Sequence, residues 1–183
     1  MPSRRPPHGV AMAKKPGRKA FKGLAPKGYR IRMMEPGEAE ALLAIRRKAR
    51  PAAPALPEFI RFLLSHEIFV LASKRDGRPV GFAAAQEHGD VYWLVVHCIS
   101  TPPGAPVGEA LIAAVTQRAR WFGLLTVGIP ATVDNPRNAA SNERDGFVTV
   151  SRKELEDRLP HRKATGASEV GDLDTPMIWV KWL

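Results

Sequence analysis

The stretch from Asp90 to Phe147, DVYWLVVHCISTPPGAPVGEALIAAVTQRARWFGLLTVGIPATVDNPRNAASNERDGF, decides the fold. Its first part, Val91–Ile99, is an apolar, β-branched run too continuous for a half-solvated strand, so it reads as a central one. Pro106–Phe122 follows as an amphipathic helix, with Val107, Ala110, Leu111, Ala114, Val115 and Phe122 on one face and Glu109, Thr116, Gln117 and Arg120 on the other. Between them, Thr101-Pro102-Pro103-Gly104-Ala105-Pro106-Val107-Gly108 leads into the helix N-terminus. A turn in that place presents backbone N–H groups and the positive end of a helix dipole to an anion. Leu124–Ile129 reads as the next strand, Pro136 to about Glu143 as a short helix capped by Gly146, and Phe147–Val150 as a further strand.

Working outward, Tyr29–Met34 alternates as a first strand and is closed by Glu35-Pro36-Gly37. A helix over Glu38–Arg50 turns Ala39, Leu42, Leu43 and Ile45 inward and ends in Arg46, Arg47 and Lys48, where cations suit the dipole. The proline-rich segment 51–57 breaks it, and a second helix runs over Pro57–Leu64. Ile68–Ser73 and Val80–Gln86 are strands joined by the Asp76-Gly77 hairpin signal, and His88-Gly89-Asp90 turns into the central strand. A helical piece near Lys153–Leu159, a polar loop and the strand Met177–Trp182 complete the chain. This order predicts a single α/β (α+β) domain with a mixed, mostly antiparallel central sheet flanked by helices.

The formal charge of +10 on 183 residues suggests a nucleic-acid binder until it is located. Residues 1–32 hold ten Lys/Arg and no acid, whereas the remainder carries 18 basic and 18 acidic side chains. The basicity belongs to residues 1–27, expected to be a disordered arm preceding a domain over 28–183. Either the arm is a solvated tail or it tethers the protein to a polyanion or large assembly, weakly and in a salt-sensitive way. Its prolines and glycines oppose a transit-peptide helix, and it lacks the apolar core of a secretory signal. One cysteine, Cys98, excludes an intramolecular disulfide and fits a cytoplasmic setting; no His/Cys cluster has metal spacing, and no apolar run suits a membrane.

Gly104 and Gly108 permit close backbone approach to a phosphate, but Pro102, Pro103 and Pro106 have no N–H to give. The alternative is that Pro106 simply starts a core helix. In the central strand, simple alternation puts His97 on the face of Val95 and Trp93, either as a base or as a hydrogen-bonded core residue. Cys98 faces the other way, into the core. Glu87, His88 and Asp90 fall at a hairpin tip, and Asp172 and Asp174 belong to an acidic loop open to a cationic amine or simply solvated.

The element order, the Gly-x-x-x-Gly-Glu-Ala-Leu-Ile run at 104–112, and Asn135 with Gly146-Phe147 resemble the GNAT superfamily of N-acetyltransferases over Tyr29–Leu183. The resemblance implies acetyl-CoA as co-substrate and no metal. It also implies a coenzyme site formed by Val96, His97 and Cys98 of the strand, by Gly104, Ala105, Val107 and Gly108 of the loop, and by Asn135. The departures are specific. Pro103 stands at the family's basic or amide loop position, Pro106 at its middle glycine, and Asn142 at the tyrosine that protonates the departing thiolate. The strand carboxylate that serves as base is absent, which leaves His97 as the catalytic candidate. Two functions follow as expectations. One is an acetyl-CoA-dependent N-acyltransferase acting on a primary amine of a small molecule or protein; the other is a catalytically silent module of the same fold, anchored by its basic arm.

Overall fold

The computed structural model describes residues 21–50, 52–100, 107–130, 136–159 and 177–183. Within them the order is β1 (Tyr29–Met33), α1 (Ala39–Ala49), α2 (Leu56–Ser65), β2 (Glu67–Ser73), β3 (Pro79–His88), β4 (Val91–Ile99), α3 (Val107–Trp121), β5 (Thr126–Pro130), α4 (Pro136–Arg144), β6 (Val148–Ser151), α5 (Arg152–Arg158) and β7 (Met177–Trp182). The strands form one sheet in the order β1-β2-β3-β4-β5-β7-β6. Only β4 and β5 pair in parallel; every other neighbouring pair is antiparallel. The expected mixed, mostly antiparallel sheet flanked by helices is what forms. No helix among the described residues is long and apolar enough to cross a membrane.

Local chemistry sets the connections. Gly77 takes φ 74°, the left-handed conformation that the β2–β3 hairpin needs, and the Asp76 carboxylate accepts from the Arg78 N–H at 3.2 Å. Between β1 and α1, Glu38 caps the reversal: it takes a bidentate contact from Arg32, at 2.8 and 2.5 Å, and accepts the Glu35 N–H at 2.8 Å.

Three apolar clusters cover the sheet. One face carries α3, whose Val107, Ala110, Leu111, Ala114 and Val115 pack on Phe69, Leu71, Ala83, Ala85, Tyr92, Leu94 and Val127. The opposite face carries α1 and α2, with Leu42, Leu43, Ile45, Phe59 and Leu63 over Val70, Phe82, Ala84 and Cys98. Leu155 and Leu159 cover Val91, Trp93, Val150, Ile178 and Val180 farther along. Each fully buried Leu, Phe or Val contributes about 1.5–3 kcal/mol, so these clusters fix which edge of β4 is left over.

Two sequence expectations need correction. The arm does not extend to Lys27: Phe21 is 6% exposed and meets Phe69 edge-on at 5.6 Å, with Leu24 and Ala25 packed against the same cluster. An isolated aromatic among lysines is enough to anchor a turn when a gap in the core accepts its ring. Residues 1–20 lie outside the described residues. On α3, Thr116 is buried rather than solvent-facing, and so is Arg118, because its guanidinium is neutralised from the sheet: Nε donates to Glu67 at 2.8 Å, and Nη2 and the Tyr92 hydroxyl also bond that carboxylate.

Candidate active site

The site begins where the parallel pair ends. β4 and β5 share three register positions, Val91 with Thr126, Tyr92 with Val127 and Trp93 with Gly128. Beyond that point β4 continues along β3 while Ile129 and Pro130 of β5 pair with β7. Gly128 allows the last contact: a Cβ there would lie 2.8 Å from Trp93 Cε3 and Cζ3 and 2.9 Å from Val91 Cγ1. Pro130, without an N–H, has no donor to reach back toward β4. The edge of Leu94–Ile99 turned away from β3 therefore has no strand partner among the described residues. Backbone groups in that position need water or a ligand, and the opening lies at the carboxyl ends of parallel strands, where α/β sheets generally bind ligands.

A bulge then re-aims β4. Ala84 opposes Val96 while the next residue, Ala85, opposes Leu94, so Val95 is an extra residue in β4. Side-chain parity reverses there. Tyr92 and Leu94 lie on the α3 face before the bulge, and His97 and Ile99 lie on it afterwards, against Gly108. Trp93 packs in the α5 cluster, and Val96 and Cys98 belong to the α1–α2 face. This corrects the expectation that His97 shares a face with Val95 and Trp93, since plain alternation fails across one unpaired residue. The core placement of Cys98 stands: it is buried, and burial pushes its thiol pKa up, against the pull of Arg46 and Arg50.

Helix α3 meets β4 at the same end. Gly108 is a glycine for contact rather than for backbone freedom, because a Cβ would lie 2.9 Å from Ile99 Cδ1 and 3.3 Å from His97 Cε1. Val107 sends its side chain into the core, so the first turn of α3 is pinned on His97 and Ile99 at the end of β4, with its N–H groups unclaimed by the helix. The structure thus brings together Val96, His97, Cys98, Val107 and Gly108. Gly104, Ala105 and Asn135 lie outside the described residues, as do Pro103, Pro106, Asp172 and Asp174.

The His97 ring is exposed on its open side yet crowded by the strand and helix behind it. Lost hydration lowers its pKa to about 4, against the opposing hydrogen bond with the Gly108 backbone. Water on the open side moderates that depression, but either way the imidazole is neutral at pH 7.

No tyrosine replaces the missing acid. Asn142 sits in α4, 9% exposed, and its amide has no proton to give at useful acidity. The chain has two tyrosines. Tyr29 opens the edge strand β1, and Tyr92 is buried with its hydroxyl on Glu67. Burial and that carboxylate push its pKa up. Sequence reasoning overlooked Gly128, although a lone glycine inside the strand TVGIP is a signal of close backbone approach. The bulge at Val95 left no such signal.

No protein-family model and no curated protein sequence matches the chain. Solved structures do. An acetyltransferase from Streptococcus agalactiae superposes with a TM-score of 0.65 at 15% identity, over 86% of this chain and 99% of that one. The ribosomal-protein-S18-alanine N-acetyltransferase of Escherichia coli gives 0.61 at 16%, over 84% and 93%. N-acetylglutamate synthase from Neisseria gonorrhoeae, solved with coenzyme A and N-acetyl-glutamate, gives 0.62 at 21%, over 85% of this chain but only 35% of that longer one. An acetyltransferase of the GNAT family from Staphylococcus aureus gives 0.63 at 15%, over 85% and 99%. The parted β4–β5 pair, the bulge in β4, the helix abutting its end and these superpositions together identify the architecture of the chain as the GNAT acetyltransferase fold.

Proposed function

We propose that the chain is an acetyl-CoA-dependent N-acyltransferase acting on a primary amine of a small molecule or protein. One observation carries the reading: β4 and β5 part after Trp93 and Gly128, leaving the edge of Leu94–Ile99 open beside the first turn of α3. That edge suits an extended, amide-bearing chain, and the helix end suits a pyrophosphate. Backbone at Val96, His97 and Cys98 would align the acyl group; N–H groups at Val107 and Gly108, together with Gly104, Ala105 and Asn135, would hold the nucleotide part. Bound acetyl-CoA supplies the acyl group as an activated thioester. Without a dedicated acid, rate enhancement rests on holding that thioester beside a neutral amine, an effect able to supply several kcal/mol. A cytoplasmic, reducing setting goes with this reading.

In it His97 accepts a hydrogen bond and orients rather than stores a proton, since a base far below the operating pH is a poor proton acceptor. Coenzyme release from acetyl-CoA in the presence of an amine panel tests the function, and the His97→Ala variant tests the residue. Turnover is expected to fall about tenfold with coenzyme affinity changed less than about twofold. An unchanged rate removes His97 from the mechanism. The pH profile is a second check. The active form is the neutral one, lost as pH falls through a folded-state value that lies below the ordinary imidazole range. Activity should therefore have no acid limb near 6.5, the ordinary imidazole value.

The second reading, a silent module anchored by its basic segment, is favoured by Asn142 at the acid position and by the ten cations in residues 1–32. Because Phe21 is part of the core, its test is deletion of residues 1–20 alone. Salt-sensitive retention on heparin or RNA should disappear with that deletion, and persistence in the truncated chain contradicts the tether.

A further inference from the structure

One end of the sheet gathers cations that little neutralises. The β2–β3 hairpin carries Lys74, Arg75 and Arg78, and the chain entering β1 carries Lys27 and Arg30; all five are exposed. Backbone contacts hold the two pieces together: the Lys74 N–H donates to the Gly28 carbonyl at 2.8 Å, and Tyr29 opposes Ser73. Arg30 reaches across to the hairpin, where a Cβ on Gly77 would lie 3.8 Å from its Nη2. The acid in the group, Asp76, is turned into its own loop, accepting the Arg78 N–H at 3.2 Å with Arg78 Nε 3.8 Å away. Lys27, Arg30, Lys74 and Arg75 form no ion pair among the described residues.

Other cations have a local reason. Arg32 and Arg118 meet the carboxylates of Glu38 and Glu67, Arg152 and Arg158 those of Glu156 and Glu154, and Arg47 and Lys48 close α1, where the dipole favours them. The hairpin has no such compensation, and like charges gathered on a surface raise the local concentration of anions. Shape and chemistry then select the partner. A hairpin tip and a turn offer no enclosure for a small anion, whereas a polymer of phosphates meets separate cations along its length. The exposed large apolar side chains, Ile60, Leu64, Trp121, Leu125, Val148 and Met177, all lie outside the patch, so it lacks the apolar face that enters a membrane surface. Residues 1–20 add six Lys/Arg and no acid, and they join the fold at Phe21, in the same segment as Lys27.

We propose that this patch binds the phosphate backbone of a nucleic acid, together with residues 1–20 and without reading bases. The proposal deepens the tether reading, on which it rests for the contribution of residues 1–20, and it holds whether or not the chain is catalytic. The patch sits where β4 ends, since the Ser100 N–H donates to the Val80 carbonyl, two residues beyond Arg78, at 2.9 Å. A nucleic acid held there lies at the same end of the sheet as the first turn of α3, which packs on Ile99.

Fluorescence anisotropy of the full chain with a labelled duplex of about 20 base pairs, as DNA and as RNA, at about 50–300 mM KCl tests it. Binding of either duplex supports the proposal. Replacing Lys74→Gln with Arg75→Gln and Arg78→Gln is expected to flatten the slope of log K against log salt by about 2, and to weaken binding about tenfold at about 100 mM salt, equally for two unrelated sequences. Arg47→Gln with Lys48→Gln and Arg61→Gln removes the same charge from exposed positions of α1 and α2, and is expected to change the slope by less than about 0.5. Equal loss in the two triple variants reduces the effect to net charge and overturns the patch. So does an unchanged slope in the hairpin variant, or binding of the parent chain to anionic phospholipid vesicles but to neither duplex. Deletion of residues 1–20 separates the two ideas. If deletion abolishes binding while the hairpin variant keeps the parent slope, the tether stands and the patch fails; if the hairpin variant is flattened while the truncated chain keeps the parent affinity, the patch stands and the tether fails.

Discussion

Glu67→Ala is expected to destabilise the protein by about 3 kcal/mol. The carboxylate neutralises Arg118, which is 4% exposed, and also receives the Tyr92 hydroxyl. The guanidinium lies against two rings, 4.4 Å from Trp121 and 4.1 Å from Phe122, which shield it from water. Removing one member of a buried pair typically costs about 3–5 kcal/mol. Glu67 itself retains 30% exposure, which places the loss at the lower end. Denaturant unfolding measures it directly. Replacing both partners, as in Glu67→Leu with Arg118→Met, should recover part of the loss, because no charge is then stranded although the Tyr92 hydroxyl loses its acceptor. A single-variant change below about 1 kcal/mol would mean that the pair is solvated and does not tie α3 to β2 and β4.

Gly128→Ala is expected to cost about 2–3 kcal/mol and to weaken coenzyme binding with it. The added methyl would sit 2.8 Å from the Trp93 ring and 2.9 Å from Val91. Both neighbours are 1% exposed, so neither can swing aside, and the two strands have to separate one register position early. Gly108→Ala makes the control. There the shortest contact, 2.9 Å, is with the end of the flexible Ile99 side chain, and the expected cost is about 1 kcal/mol or less. Unfolding midpoints of the two variants decide the matter: equal stability of Gly128→Ala and the parent contradicts the packing that terminates the β4–β5 pair.

Much of the fold was legible because local signals and core demands agree. The central strand Val91–Ile99 and the last strand Met177–Trp182 form over the residues that their apolar runs predicted, and the Asp76-Gly77 signal makes its hairpin. The site was less legible, for physical reasons. A bulge is a mismatch between two strands, so nothing in Val95-Val96-His97-Cys98 taken alone reveals that His97 changes face. Arg118 shows charge to the sequence and neutrality to the core, because Glu67 lies 51 positions away. Phe21 reads as one aromatic in a basic segment until the gap beside Phe69 is known. In contrast, Asn142 and the carboxylate-free strand β4 are readable directly, since residue identity needs no fold; the carboxylate that the structure brings to β4 from β2, Glu67, is engaged with Arg118 and Tyr92.

The central claim is that the opening between β4 and β5 accepts an acyl-coenzyme A. Calorimetric titration of the intact chain with acetyl-CoA tests it most directly. The account predicts one site per chain with a dissociation constant between about 1 μM and 1 mM, weakened in Gly128→Ala. No binding at about 1 mM acetyl-CoA by a folded sample would contradict it, and would leave the fold without the ligand its open strand edge is proposed to hold.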